Sequence, residues 1–186
     1  MLARVHSALG AKRRHDDFGR RVTELQQLVR TDPLTGLYNR RHIKAELAAL
    51  ASAARRQRTS LGVLLVDVDR FKRINDRLSH EAGDTALRTV AHRIRHIVRA
   101  EDVVGRWGGD EFVVLLPSTD LNAAVILGHR LRREVARSAA GVAPARPVTV
   151  SVGCAAAFGP EESALIGSAD AALRRAKAGG RNRVSV

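Results

Sequence analysis

Aromatic residues and cysteine are scarce in this sequence of 186 residues. Aromatics make up 3 % of it, and the single cysteine, Cys154, cannot form a disulfide within the chain, which fits a reducing compartment. No apolar run approaches the roughly 18 residues that a membrane span requires. The first residues also lack the long apolar centre of a secretory signal. We therefore expect a cytoplasmic protein that does not bind a membrane.

Acidic residues are outnumbered by basic ones. The chain carries 32 Lys and Arg against 19 Asp and Glu, a formal net charge of +13. This excess favours anionic partners such as nucleotides, nucleic acid or acidic lipid, although a solvated, arginine-rich surface has the same composition. A protein that binds single-stranded nucleic acid also needs aromatic side chains on which bases stack. Because these are scarce, we do not expect a nucleic-acid partner.

The apolar pattern divides the chain into a connector and a domain. Residues 1–30 carry two short apolar stripes at helical spacing, with Gly19 in the polar stretch between them, and they predict a helical connector. Residues 31–186 predict one domain, in which an apolar run ends at Asp67 and Asp69 and two further strands meet at a glycine-containing bend. Helices are expected over about residues 40–58, 81–99, 121–137 and 163–180, with short helical turns after Asp69 and further strands over residues 147–157 and 181–186. The order predicts an α/β fold of the α+β kind, with a mixed, antiparallel-rich sheet flanked by helices.

Two aspartates lie where strands of this sheet end. Asp67 ends the buried strand, and Asp110 follows two glycines at the bend of the hairpin. If the two strands are neighbours, both carboxylates meet at one edge of the sheet, where hard oxygen ligands suit Mg²⁺. The glycines allow phosphates to approach the backbone without a side-chain clash. A metal and phosphates together indicate phosphoryl or nucleotidyl transfer, although a solvated hairpin tip also carries acids.

The motif "RWGGDEF", residues 106–112, resembles the signature of GGDEF domains, the diguanylate cyclases. The segments "DPLTGLYNRR", "DVDRFKRINDRLSHEAGD", "VTVSVGCA" and "AKAGGRNRV" are similar to further motifs of that family in the same order. The resemblance covers nearly all of residues 31–186. It implies a fold like that of class III nucleotide cyclases and the polymerase palm, and a reaction that joins two GTP into cyclic di-GMP with release of two pyrophosphates.

The resemblance implies a metal site and a set of phosphate contacts. Mg²⁺ or Mn²⁺ is expected on Asp67, Asp110 and the backbone carbonyl of Val68, with Glu111 beside it. Asp110 is often assigned as the proton acceptor for the 3′-hydroxyl, although a metal can itself lower the pKa of that hydroxyl. Lys72 is expected to neutralise charge that develops on the phosphates. The further phosphate contacts that the resemblance implies are Lys177 and Arg181.

The resemblance also implies a guanine-reading group. Asn75 and Asp84 match the family's pair, since a carboxylate accepts from the N1–H and N2–H₂ edge that adenine lacks. Leaving such a buried carboxylate unpaired against adenine would cost about 1–3 kcal/mol. His80 matches a position that usually accompanies the pair, although a histidine in a polar turn is more often structural. Asp84 argues against a cyclase that uses ATP.

An inhibitory product site is implied upstream of the hairpin. Arg99 and Asp102 stand at the spacing of the family's RxxD site, where cyclic di-GMP binds away from catalysis, and Arg130 is expected as a second contact. Arginine suits this because its planar fork binds phosphate or a guanine edge through two hydrogen bonds. An ordinary surface pair at a helix end is the alternative.

Assembly is implied as well. One GGDEF domain binds one GTP, so the reaction requires a homodimer, and residues 1–14 are similar to the last helix of a receiver domain, which is therefore expected upstream. A degenerate GGDEF domain that only binds GTP or cyclic di-GMP is the main rival, but such members usually lose an acid of the motif. Ser79 replaces a usual glycine, and Arg174 stands where tyrosine is common; both affect expectations on loop geometry and packing only.

Overall fold

The structure is a computed structural model that describes residues 30–138 and 148–186. The predicted connector therefore lies outside the described residues, except for Arg30, and so does Pro147 of a predicted strand. The described helices are α1 (Arg40–Gln57), α2 (Phe71–Arg77), α3 (His80–Ile97), α4 (Leu121–Ser138) and α5 (Glu162–Ala178). The strands are β1 (Ser60–Val68), β2 (Val103–Arg106), β3 (Glu111–Pro117), β4 (Val150–Phe158) and β5 (Val184–Ser185).

The strands form one mixed sheet in the order β2-β3-β1-β4-β5. All neighbouring pairs are antiparallel except β4 and β5, which are parallel. β1 lies at the centre and is buried from Leu61 to Val68, which explains its nearly unbroken apolar sequence. The predicted fold class, a mixed antiparallel-rich sheet flanked by helices, is confirmed.

The helices cover both faces of the sheet because alternate residues of a strand point to opposite faces. Val66 belongs to the core that includes residues of α3 and α4, such as Val90. Its neighbour Leu65 belongs to the second core, with Ile43 of α1 and Leu173 of α5. The domain therefore has three layers, with the sheet between two layers of helices, and buried strand residues pack into one of two hydrophobic cores.

Local signals explain where the helices begin and end. Asn39 caps α1 by accepting a hydrogen bond from the His42 N–H at 3.0 Å. Ser79 caps α3 by accepting from Ala82 N–H at 3.1 Å, so this helix begins at His80, one residue before the predicted start. It ends at Ile97, two residues before the predicted end. Among the described residues, none of the helices has the length and apolarity that crossing a membrane requires.

The close crossing of α5 over β4 sets the position of the helix end that reaches the site. A Cβ on Gly153 would lie 2.2 Å from the carbonyl oxygen of Ala169 and 2.3 Å from the backbone nitrogen of Leu173. No side chain fits in that space, so only glycine allows the helix to lie this close to the strand. The crossing brings the C-terminal turn of α5, with Lys177, toward the end of β1.

Candidate active site

Strand pairing places the acids together at one end of the sheet. β1 and β3 are neighbours, and Asp67 lies directly opposite Glu111. The N–H of Val68 donates to the carbonyl oxygen of Asp110 at 3.1 Å, which joins the end of β1 to the hairpin bend. The expectation that the two aspartate-bearing strands are neighbours is therefore met by the observed pairing.

Arg106 fixes the shape of the glycine-containing bend. Its Nε and Nη2 donate to the carbonyl oxygen of Gly109 at 3.1 and 2.7 Å, and its Nη1 lies 3.1 Å from Oδ2 of Asp32. Burial raises the pKa of Asp32, but hydrogen bonds from Thr35 and the charge of Arg106 outweigh it and leave the pKa below its ordinary value. Neither Arg106 nor Asp32 was predicted as part of the site. They lie 74 residues apart, and nothing in the sequence pairs them.

Lys177 forms an ion pair with one of the acids. Its Nζ donates to Oδ2 of Asp67 at 2.6 Å, and only 10 % of the Asp67 side chain is exposed. Burial raises the pKa of Asp67 to about 6; Lys177 opposes this rise, while the charges of Asp110 and Glu111 add to it. The site therefore holds more negative charge than Lys177 neutralises.

This donor set fits a hard divalent cation. Its oxygen atoms come from carboxylates and backbone carbonyls, and the raised pKa of Asp67 shows that ionising it here is unfavourable without a further cation. Within residues 30–138 and 148–186, no three His, Cys, Asp or Glu side chains are arranged to hold a metal ion together. Two carboxylates and a carbonyl suffice for Mg²⁺, which keeps several positions for water and phosphate oxygens.

The predicted guanine-reading residues lie on α2 and α3. Asn75 is partly buried, and its Oδ1 is buried without a hydrogen-bond partner. A Cβ on Gly83 would lie 1.9 Å from that oxygen, so α3 approaches Asn75 where it has no side chain. Asp84 is the next residue and is partly exposed, whereas Lys72 and His80 are exposed. The fold thus brings Asn75 and the start of α3 together, and Asn75 Oδ1 is a buried acceptor without a hydrogen-bond partner among the described residues.

Two of the three predicted inhibitory residues, Arg99 and Asp102, line a cavity of about 440 Å³. The N–H of Arg99 donates to Oδ2 of Asp102 at 2.8 Å, and the Arg99 side chain is 72 % exposed. Burial raises the pKa of Asp102, and that backbone hydrogen bond offsets part of the rise. Arg95 and Tyr38 also line this cavity. Arg130 is exposed on α4 and is not among the lining residues.

A second aspartate of β1's end was not predicted as part of the site. Asp69 is buried and accepts hydrogen bonds from Ser151 Oγ at 2.6 Å, Thr149 Oγ1 at 2.7 Å and the N–H of Asn182 at 2.9 Å. Asn182 follows Arg181, a predicted phosphate contact. The alternation of Asp67 and Asp69 along one strand was the available signal, but it does not reveal the partners of either residue.

The chain thus combines a five-stranded mixed sheet with acids at the bend of the β2–β3 hairpin. Residues 29–183 match the family model described as "Diguanylate cyclase, GGDEF domain", and the chain belongs to this family. The family resemblance noted in the sequence motifs is thereby confirmed.

Individual relatives are similar over nearly the whole chain. The response regulator PleD of Caulobacter vibrioides and the diguanylate cyclase DgcM of Escherichia coli are each 40 % identical to it over 99 % of its length. The alignments cover 42 % and 43 % of those proteins, so the chain spans less than half of their length. The solved GGDEF domain of DgcB from Caulobacter crescentus, in complex with c-di-GMP, is 31 % identical with a TM-score of 0.79, over 84 % of this chain and 95 % of that one.

Proposed function

We propose that residues 31–186 form a diguanylate cyclase domain, which joins two GTP into cyclic di-GMP and releases two pyrophosphates. The observation that carries the proposal is the pairing of Asp67 with Glu111, next to Asp110 at the hairpin bend, in a chain of the GGDEF family. The relative DgcM is itself named a diguanylate cyclase. The pattern of residues 1–30 favours a connector to an upstream element.

The chemistry consists of two equivalent substitutions. In each, the 3′-oxygen of one GTP forms a bond to the α-phosphorus of the other, the bond from that phosphorus to the bridging oxygen breaks, and pyrophosphate leaves. The 3′-hydroxyl loses its proton in the same step, and Asp110 at the hairpin bend would be its acceptor. A divalent ion supplies charge neutralisation at the phosphates and a lower pKa of the hydroxyl.

The metal would be Mg²⁺ or Mn²⁺. Asp67, Asp110 and the carbonyl of Val68 would hold it, with Glu111 beside it on the neighbouring strand. The raised pKa of Asp67 supports this assignment, because a buried acid next to two others is stabilised in its ionised form by a cation. Oxygen-only donors exclude the softer metals as the natural choice.

Three cations would bind and orient the triphosphates. Lys177 already contacts the acidic site, at 2.6 Å from Asp67, and Arg181 follows it after the end of α5. Lys72 is exposed on α2 and provides a further positive charge. Fixed cations next to the reacting phosphates favour the transition state because charge on the leaving pyrophosphate increases as the bond breaks.

Base selection would depend on Asn75 and Asp84, with His80 nearby. The orphaned Oδ1 of Asn75 supports a ligand at this place, because a buried amide oxygen without a partner is unfavourable by about 1–3 kcal/mol. The carboxylate of Asp84 would accept from the guanine N1–H and N2–H₂ groups. GTP would therefore bind in preference to ATP.

Product feedback would act through the cavity at Arg99 and Asp102. The cavity is large enough for a base and a phosphate of cyclic di-GMP, and its Arg99 side chain is free enough to meet them. Arg130, outside the lining, would contribute from an adjacent surface. The solved domain of DgcB that this chain resembles was determined with c-di-GMP.

The reaction further requires two domains that face each other, and we propose a homodimer as the active form. An upstream receiver domain would control how the two domains meet. The relative PleD is named a response regulator, and this chain spans 42 % of it, which leaves room for such a domain there. Neither a nucleic acid nor a membrane is a proposed partner.

The proposal is tested by the products that the purified protein forms from GTP with Mg²⁺ or Mn²⁺. Chromatography is expected to show cyclic di-GMP and two pyrophosphates for each product molecule. Asp110→Ala should fold and lose this activity, because it removes both the proton acceptor and a metal ligand. Glu161→Ala, which removes an acid that is 79 % exposed, is the matched control and should remain active. Product formation by Asp110→Ala at the wild-type rate, or binding of GTP without turnover by the wild type, would contradict the proposal.

A further inference from the structure

The C-terminal turn that carries Arg181 has an unusual backbone. Three successive residues have positive φ angles, namely 113° at Gly180, 66° at Arg181 and 45° at Asn182. Glycine adopts such angles freely, but a residue with a Cβ is disfavoured there by about 1 kcal/mol or more. A turn with this geometry needs bonds from outside itself to persist.

Asp69 supplies one of those bonds, to the N–H of Asn182. Its Oδ2 accepts from the N–H of Asn182 at 2.9 Å and from Thr149 Oγ1 at 2.7 Å, while Oδ1 accepts from Ser151 Oγ at 2.6 Å. The acid is only 8 % exposed, so these hydrogen bonds are shielded from water. The N–H of Asp69 also donates to the carbonyl oxygen of Thr149 at 2.9 Å, which fixes its backbone.

Asp67, near the end of β1, and Asp69, just after that strand, contact two parts of the same segment. Asp67 pairs with Lys177 in the last turn of α5, and Asp69 bonds to the turn that follows this helix. In the proposed function, Asp67 would also bind the metal ion. The hydrogen bonds of Asp69 are to groups that do not take part in the proposed reaction.

We infer that Asp69 is a positioning residue, which holds the left-handed turn so that Arg181 is directed to the triphosphate. The inference rests on the proposed function, in which Arg181 contacts phosphate. Its requirement is an oxygen acceptor of the right shape, not a negative charge. This differs from the requirement at Asp67, where the charge itself binds the cation.

The different requirements at Asp67 and Asp69 can be tested by replacing each residue with asparagine. Asparagine at position 69 can accept from the Asn182 N–H and the Thr149 hydroxyl through its oxygen, and donate to the Ser151 hydroxyl through its amide. Asp69→Asn is therefore expected to keep kcat/KM within about threefold of the wild type, whereas Asp67→Asn is expected to abolish turnover. Asp69→Ala is expected to lower kcat/KM by about 10- to 100-fold, because small displacements of an orienting group have effects of this size.

Binding separates positioning of Arg181 from a general loss of structure. Affinities are measured for a non-hydrolysable GTP analogue and for GMP, which lacks the outer phosphates. Asp69→Ala should weaken binding of the GTP analogue as much as Arg181→Ala does, and it should leave GMP binding unchanged. In the Arg181→Ala background it should have no further effect on either affinity. Equal weakening of both ligands, or an Asp69→Asn variant as inactive as Asp67→Asn, would overturn the inference.

Amide hydrogen exchange tests, without any ligand, whether Asp69 holds the turn at Asn182. The amide of Asn182 should exchange faster in Asp69→Ala and at the wild-type rate in Asp69→Asn; unchanged exchange in Asp69→Ala would overturn the inference. If Asp69→Ala fails to fold, Thr149→Val removes one of the three bonds and should cause a smaller effect in the same direction. If the wild type binds neither ligand while the exchange result holds, the proposed function is wrong, but Asp69 still holds the turn at Asn182.

Discussion

Replacing Asp67 by asparagine should stabilise the metal-free protein while it removes activity. The pKa of this acid rises from 3.8 to about 6 in the folded protein, in spite of the hydrogen bond from Lys177. The folded state thus binds a proton more tightly than the unfolded state does. The resulting cost of ionised Asp67 is absent below about pH 4, grows between about pH 4 and 6, and is complete above this range.

The shift sets the size of the effect. About two pKa units correspond to about 3 kcal/mol at pH 7.5 and to about half of this at pH 5. Asparagine resembles the protonated acid and is neutral at both pH values. The free energy of unfolding of Asp67→Asn, relative to the wild type, should therefore be about 1–1.5 kcal/mol higher at pH 7.5 than at pH 5. A gain of 1 kcal/mol raises the melting temperature of a domain of this size by about 2–4 °C.

Urea denaturation in EDTA, followed by circular dichroism at the two pH values, measures this difference. Asp76→Asn, which makes the same change at an exposed acid on α2, is the matched control. Added Mg²⁺ should stabilise the wild type more than it stabilises Asp67→Asn, since the variant lacks the carboxylate that we propose as a metal ligand. If Asp67→Asn is less stable than the wild type by the same amount at both pH values, the ion pair with Lys177 outweighs burial and the reasoning is wrong.

Two further predictions concern residues that shape the site. Gly83→Ala should raise the KM for GTP and lower the preference for GTP over ATP, because its Cβ would lie 1.9 Å from Asn75 Oδ1; the control Gly167→Ala, with nothing within 4 Å of its Cβ, should keep both parameters. An unchanged nucleotide preference in Gly83→Ala would refute this. Arg106→Ala and Asp32→Ala should each lower kcat/KM, and a double-mutant cycle should give a coupling of about 1–2 kcal/mol. Strictly additive effects would show that this ion pair does not hold the bend.

The order of helices and strands, and the position of the acids at the hairpin bend, could be predicted from the sequence. The period of the apolar residues distinguishes β1 from α3, and a glycine-containing bend between two apolar runs indicates adjacent strands. The roles of Asp69 and Arg106 were not predictable in this way. Their partners are 82 and 74 residues away along the chain, and a single sequence carries no signal that joins residues so far apart.

The segment before α1 lies along the outer edge of β2. Tyr38 bridges to Gly105, and its backbone oxygen accepts from Arg106 N–H at 2.8 Å while its N–H donates to Val104 at 3.2 Å. An open strand edge is a template on which another chain can add a strand and start aggregation. Here Tyr38 already occupies the carbonyl of Val104 and the N–H of Arg106, so a second copy cannot add a strand at this edge of the sheet unless Tyr38 is displaced. Weakening this cover should therefore lower the solubility of the protein before it lowers its affinity for nucleotide.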